Sequence, residues 1–95
     1  MIIRRHRHFL KNYKKRILPH RNLDRRFEEK LNILIQDSKN PILKDHKLLG
    51  SFVGFRAFSV TGDIRVVYRI VKGVIELYDI GSYNQVYEIF FHLYF

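Results

Sequence analysis

The chain is 95 residues long, 46% of them hydrophobic and 15% aromatic, which fits one globular domain and excludes disorder. It has no cysteine, so a disulfide framework and a thiolate metal site are excluded, and no apolar run approaches the roughly 18–20 residues that span a membrane. Lysine and arginine number 18 against 9 acidic residues, and the net charge of +9 attracts RNA, DNA, a ribosome or an acidic protein partner.

Met1 to Arg5 reads as a short strand with Ile2 and Ile3 as its apolar content. The amino end MIIRRHRHF holds no segment long enough for a signal peptide, and together with the missing cysteines this leads to the expectation of a cytoplasmic protein. Phe9, Tyr13 and Ile17 then recur at helical spacing, with Leu10 beside them and Lys11, Lys14, Lys15 and Arg16 around the rest of the circumference. Pro19 marks the exit from this helix. A second helix is predicted from Asn22 as its N-cap, with Leu23, Phe27, Leu31, Leu34 and Ile35 along one stripe. Asp24 and Glu28 fall in its early turns, where the helix dipole favours anions. The break at Ser38 to Pro41 makes the pair an αα-hairpin, apolar inward and cationic outward, and the outer cations suit a phosphate backbone.

From Phe52 the apolar period shifts towards 2, and Thr61-Gly62 and Lys72-Gly73 are turn signals between strand-like runs. A two-residue loop at Lys72-Gly73 pairs Ile70 with Ile75, Tyr68 with Leu77 and Arg69 with Glu76. Ile64, Val66, Tyr68 and Ile70 then face the helices, while Arg65, Arg69, Glu76 and Tyr78 face away. A similar loop at Thr61-Gly62 pairs Arg56 with Val67 and Phe58 with Arg65, which gathers Arg56, Arg65 and Arg69 on the uncovered side and turns Ser59 towards the helices, where it is structural unless a bulge near Thr61-Gly62 re-aims it. A slip of one residue reverses this assignment. Gly81 closes the last clear strand. A helical turn is expected at Gln85–Glu88, and the bulky tail with Phe90, Phe91, Leu93, Tyr94 and Phe95 either folds onto the domain or forms an apolar patch for a partner.

Periodicity alone ends at a small basic α+β domain directed to nucleic acid. Three motifs go further: KDHKLLG at Lys44–Gly50, GFRAFSVTGDIRVVY at Gly54–Tyr68 and IGSYNQVY at Ile80–Tyr87. Their order and spacing resemble the RelE/ParE superfamily of toxins from type II toxin–antitoxin systems, most closely its YafQ-like branch. The resemblance implies a single domain over residues 1–95. Its fold is α+β: a small twisted antiparallel β-sheet with an N-terminal αα-hairpin packed on one face. It also implies an mRNA interferase, an endoribonuclease that cuts message in the A site of the 70S ribosome. That chemistry uses no metal or other cofactor. The attacking group is the 2′-hydroxyl of the RNA, so the protein supplies a base for its proton, cations for the phosphorane and an acid for the 5′-oxygen.

On this resemblance His46 matches the histidine of a DH motif and is the base, since an imidazole with an ordinary pKa near 6.5 exchanges protons at neutral pH. Asp45 is expected to orient its ring. Asp63 matches an acidic residue at a hairpin turn, where turn chemistry equally accounts for an Asp. Arg65 matches the arginine of the RVVY motif, and Arg56 stands where RelE-type members carry a catalytic lysine; with Arg69 they are expected to bind RNA phosphate. Tyr87 matches an aromatic that contacts the substrate nucleotide. The chain departs from the YafQ-like pattern by carrying Ser59 and Tyr83 in place of two histidines. A phenol donates a proton to a developing oxyanion but is a poor base at neutral pH, so Tyr83 is expected to act as the acid or as a phosphate-binding hydroxyl. His6, His8, His20 and His92 lack partners at metal-ligand spacing, and no metal is assigned. The expected partners are a cognate antitoxin, with which the toxin forms a hetero-oligomer, and the ribosome with its mRNA; no membrane is implied. Two alternatives remain open: a ParE-like inhibitor of DNA gyrase without nuclease activity, and a degenerate toxin that keeps only antitoxin binding.

Overall fold

A computed structural model describes residues 1–48 and 53–87 of the chain. Strand β1 (Ile2–Arg5) leads into helix α1 (Arg7–Arg16), helix α2 (Arg21–Gln36), a 3-10 turn (Pro41–Leu43) and strands β2 (His46–Lys47), β3 (Arg56–Ser59), β4 (Ile64–Val71) and β5 (Val74–Ser82). Residues 83–87 are helical. The predicted turn at Gln85–Glu88 thus begins two residues earlier, and Glu88 and the tail to Phe95, with His92, lie outside the described residues, as do Leu49 to Phe52.

The strands form one sheet in the order β1-β5-β4-β3-β2. Every neighbouring pair is antiparallel except β1 with β5, which run parallel. The parallel pair follows from connectivity: the two helices and three strands between β1 and β5 act as a long crossover. The result is the expected α+β architecture.

The Lys72-Gly73 turn holds the predicted register, with Tyr68 opposite Leu77, Arg69 opposite Glu76 and Ile70 opposite Ile75. Lys72 and Gly73 both have positive φ, 51° and 78°, which a two-residue turn of the primed type demands at its two central positions. The other hairpin corrects the sequence reading by one residue. Arg56 stands opposite Tyr68, Ala57 opposite Val67, Phe58 opposite Val66 and Ser59 opposite Arg65. The cause is a longer loop: Thr61 Oγ1 accepts from the N–H of Asp63 and of Ile64, and the Val60 N–H reaches the Ile64 carbonyl at 2.8 Å. With three residues rather than two in the loop, Ser59 turns to the open side beside Arg65, and Arg56 turns to the side of Tyr68.

The core lies between the helices and one face of the sheet. Phe9, Ile17, Phe27, Leu31 and Leu34 pack against Phe58, Val60, Val66, Tyr68, Ile75, Leu77 and Ile80. Burying one such side chain stabilises the fold by ~1.5–3 kcal/mol. The stripe on α2 is as predicted, but its N-cap is His20 rather than Asn22, so Asn22 falls inside the first turn. The Tyr13 hydroxyl donates to Asp24 and ties α1 to the start of α2. A second, smaller cluster on the opposite face joins Leu48, Ala57, Val67 and Val86, with Phe55, Tyr78 and Tyr87 around it. The helical residues 83–87 thus carry Val86 and Tyr87 back onto the face that the hairpin leaves open.

Candidate active site

Strand β4 points Arg65, Val67 and Arg69 to the open face, since alternate residues of a strand share a side. Arg65 is half-buried, and its Nη1 donates to Ser59 Oγ at 2.6 Å and to the Thr61 carbonyl at 3.3 Å. Among the described residues no carboxylate pairs with it. The guanidinium is therefore held by neutral acceptors through one nitrogen, and its charge is left for a ligand. Ser59, 5% exposed, serves here as an anchor for Arg65.

The aromatic pair at the end of the fold stands over the same region. The Tyr83 and Tyr87 rings lie 4.5 Å apart, and the Tyr83 side is open to solvent at 57% exposure. Burial pushes the Tyr87 hydroxyl above the usual phenol range, the neighbouring Tyr83 adds to this, and the charge of Arg65 partly opposes it. Tyr87 is thus a donor throughout the neutral range. The influence of Arg65 on this hydroxyl also places the two groups in one electrostatic environment.

His46 comes from β2, opposite Ala57, and so shares its side with Ala57, Ser59 and Arg65. Its Nδ1 lies 3.1 Å from the Lys44 carbonyl. A carbonyl oxygen only accepts, so the contact keeps the ring proton on Nδ1 and leaves the lone pair on Nε2. Lys44 presents that carbonyl from a left-handed backbone, φ 48°, at the end of the 3-10 turn. Two strand spacings and two residues separate His46 from Arg65, about 12 Å between Cα atoms.

Asp45 does not orient the imidazole, which corrects the sequence reading. Its Oδ2 accepts from Arg56 Nη2 at 2.6 Å and Nε at 2.8 Å, and its Oδ1 accepts from the Tyr68 hydroxyl at 2.5 Å. Burial first, and then the bond to Asp45, push the Tyr68 hydroxyl well above the usual phenol range, so it remains a donor. The Asp45 bond likewise raises Arg56. Arg56 therefore does not join Arg65: it lies on the helix side of the sheet, and its charge is matched by Asp45. The loop residue next to His46 is instead fastened to two strands by one carboxylate.

Arg69 shares the open face but is committed elsewhere. It pairs with Glu76 at 2.8 Å and lies over the rings of Phe55 and Tyr78, 5.6 and 5.4 Å from their centroids. Asp63 is exposed in the β3–β4 loop, where its N–H is held by Thr61. The structure thus brings Arg65, Ser59, Tyr83 and Tyr87 together with His46 on one side, and separates Arg56 from them.

Sequence reasoning missed a polar group at the edge of this site. Strand β1 ends at Arg5, opposite Leu77, and among the described residues no strand pairs with the outer edge of β5 beyond that point. Helix α1 covers it with His8, Asn12 and Arg16, one stripe at a spacing of four. Asp79, fully buried, accepts from Asn12 Nδ2 and from the Ile80 N–H, both at 2.8 Å, and Arg16 Nη1 donates to the Ile80 carbonyl at 3.0 Å. These side chains replace the missing ladder bonds. The signal was present in the sequence as Asp79 within the apolar run of β5, which also holds Glu76, and a polar stripe on a helix.

The sequence profile of the family described as bacterial toxin of type II toxin-antitoxin system, YafQ, matches residues 1–88. Among solved structures, YafQ from E. coli superposes with a TM-score of 0.77 and 21% identity, over 90% of this chain and 96% of that one. A copper-bound mutant toxin from Helicobacter pylori gives 0.80 and 23%, over 90% and 98%. The YoeB-YefM toxin-antitoxin heterotetramer from Staphylococcus aureus gives 0.73 and 18%, over 87% and 95%. At these identities the structural likeness carries the fold. None of the curated proteins matches the sequence.

Proposed function

The chain belongs to the YafQ family, bacterial toxins of type II toxin-antitoxin systems, and from that premise we propose that it is a ribosome-dependent, metal-independent endoribonuclease that cuts mRNA in the A site. The observation that supports this reading best is Arg65: a guanidinium fixed by Ser59 and Thr61, with no carboxylate partner among the described residues, beside two phenols.

In this reading the scissile phosphate rests on Arg65. His46 Nε2 takes the proton of the ribose 2′-hydroxyl, and the 2′-oxygen attacks the phosphorus. Negative charge grows on the non-bridging oxygens, where the Arg65 guanidinium is already oriented, so little reorganisation is needed. The Tyr83 hydroxyl donates to the departing 5′-oxygen, the P–O5′ bond breaks, and a 2′,3′-cyclic phosphate remains on the upstream fragment. Tyr87 packs against the nucleotide, and Asp63 lies at the loop edge where a ribose hydroxyl can reach it. Arg69 contributes to the field of the face rather than a direct clamp.

A cognate antitoxin is the second partner in this proposal. An acidic segment complements the +9 chain, and the YoeB-YefM and DinJ-YafQ assemblies are toxin–antitoxin complexes on the same fold. No helix among the described residues is long and apolar enough to cross a membrane.

The test uses ribosomes programmed with a defined A-site codon, in EDTA-washed reactions limited to the magnesium that the ribosome needs. Wild type cuts within the codon, and Arg65→Met reduces the cut by two orders of magnitude or more, about the worth of one preorganised donor set at a developing oxyanion. Equal background cleavage by both proteins sinks the nuclease reading. Cell filamentation with intact transcripts on expression would instead favour the gyrase-directed alternative.

A further inference from the structure

We propose that Arg16, reaching from helix α1 across the edge of β5, is a second phosphate-binding residue, which holds the phosphodiester next to the one on Arg65. The inference rests on the reading of Arg65 as a phosphate clamp and extends it to the neighbouring nucleotide.

The observation that carries it is Gly81. Its φ is not in the left-handed region, so backbone conformation does not require glycine there. Space does. A Cβ at this position would stand 2.7 Å from Arg16 Nη1, 2.8 Å from Gln85 Oε1 and 3.3 Å from Arg16 Cδ. Gly81 is the cross-strand partner of Arg65, so that vacant Cβ direction points to the open face. Arg16 Nη1 therefore lies at the edge of the sheet against the open-face side of Gly81, the side of Arg65, although its helix belongs to the other layer. Directly opposed Cβ positions are about 5 Å apart, which puts Arg16 Nη1 within about 8 Å of the Arg65 Cβ. The Arg65 side chain runs the other way, to Ser59. One guanidinium thus stands at each end of the row Ser59–Arg65–Gly81, and a single strand laid across the row meets both.

The head group is also built for the task. Among the described residues only its Nη1 is engaged, with the Ile80 carbonyl at 3.0 Å and Asp79 Oδ1 at 3.6 Å. A guanidinium carries five donors in a rigid fork, so the remaining nitrogens are oriented without being used. The Arg16 side chain is 15% exposed and its counter-ion Asp79 is wholly buried. A ligand therefore meets the cation and not the carboxylate. Ser82 and Gln85 cap each other through the Ser82 N–H and Gln85 Oε1 at 2.8 Å, which holds the start of the helical residues 83–87 against the same spot.

The test measures binding of a short single-stranded RNA, 2′-O-methylated at every ribose so that it cannot be cut, by fluorescence anisotropy over a range of salt. Gly81→Ala is the main variant: the atoms it meets are the ends of flexible side chains, so it moves the Arg16 head group and leaves charge and fold in place. Arg16→Gln with Asp79→Asn is the second, removing cation and counter-ion together. The double variant should lower the slope of log K against log salt by about 0.7, the value of one single-strand phosphate contact. A walk of single neutral methylphosphonates along the RNA then separates contact from structure. One position should weaken binding to wild type, have no effect on the double variant and have a reduced effect on Gly81→Ala, while the Arg65 position keeps its penalty in both. Unchanged slopes together with identical methylphosphonate profiles in all three proteins would overturn the role of Arg16 and leave that of Arg65 standing. If Gly81→Ala matches wild type at every position, the inference is overturned even where the double variant does not fold. Failure of wild type to bind the RNA, with Arg65→Met no different, would overturn both.

Discussion

Tyr68→Phe removes one oxygen atom from the point where the His46 loop is fastened to the sheet. The lost bond is a hydroxyl donating at 2.5 Å to Asp45 Oδ1, whose side chain is 10% exposed. A hydrogen bond to a charged group contributes ~1.5–3 kcal/mol, and the carboxylate keeps its two bonds from Arg56, so the expected cost is about 2 kcal/mol. In a domain of this size that lowers Tm by about 8–16 °C. Asp45→Asn should cost ~2–3 kcal/mol: its oxygen still accepts from Arg56, but the charge that matched Arg56 is gone and the amide N–H now faces the Tyr68 hydroxyl, which must turn from donor to acceptor, while the one-third exposure of Arg56 limits the penalty. Urea unfolding gives both values. Because the two substitutions act on one contact, Tyr68→Phe in the Asp45→Asn background should cost only about 1 kcal/mol or less. Loosening the loop should also disturb the Nδ1 contact of His46 with Lys44, which the ring 15N shifts report. A Tyr68→Phe protein within about 0.5 kcal/mol of wild type, or an equal cost in both backgrounds, would refute the fastening role.

Three further outcomes follow from the same geometry. Tyr83→Phe should leave the urea midpoint nearly unchanged, because the side chain is 57% exposed, yet lower single-turnover cleavage by ~10²-fold or more as general acid; unchanged cleavage removes it from the reaction. Phe58→Ala empties a wholly buried site beside Tyr68 and should cost ~3–5 kcal/mol, measured by urea unfolding. Burial raises the Asp79 carboxyl above its ordinary value by more than Asn12, the Ile80 N–H, His8 and Arg16 lower it. The folded state then holds this proton more tightly than the unfolded one. Its contribution to stability is greatest below the ordinary carboxyl value of about 3.9 and falls as pH rises through the folded value. The stability of wild type relative to Asp79→Asn should decline with pH across that window and level off above it; a rise would contradict the burial argument.

What was legible in the sequence depended on how locally each feature is encoded. The αα-hairpin was readable because Phe27, Leu31 and Leu34 repeat at helical spacing, and the β4–β5 register next to the turn because Lys72-Gly73 admits one turn geometry, whereas the one-residue shift between Val67 and Tyr68 left no sign. The β3–β4 register failed by one residue because Thr61, not Gly62 alone, shapes that loop through its hydroxyl, and a three-residue loop inverts every side chain of β3 relative to β4. That single slip moved Arg56 to the wrong side and hid the role of Ser59 as the anchor of Arg65. The Asp45–Arg56–Tyr68 fastening joins residues 11 and 23 positions apart, and the Asp79–Asn12 bond joins residues 67 apart. The spacing of four on α1 marks a polar stripe, but the partner it meets lies too far along the chain for periodicity to name, so only the folded chain reveals these pairings. The position of α1 beside the outer edge of β5 belongs to the same class, because it depends on where β1 stops.

The identity of the attacking oxygen decides most directly whether this site cuts RNA. On ribosomes carrying a message with a single 2′-deoxy sugar on the 5′ side of the A-site bond, wild-type protein should leave that bond intact. The all-ribose message should be cut there to a 2′,3′-cyclic phosphate end, and the His46→Ala and Arg65→Met proteins should cut it little. Equal cleavage of the deoxy-substituted message, or an all-ribose message left whole by wild type, would contradict the convergence of His46, Arg65 and Tyr83 on one phosphodiester.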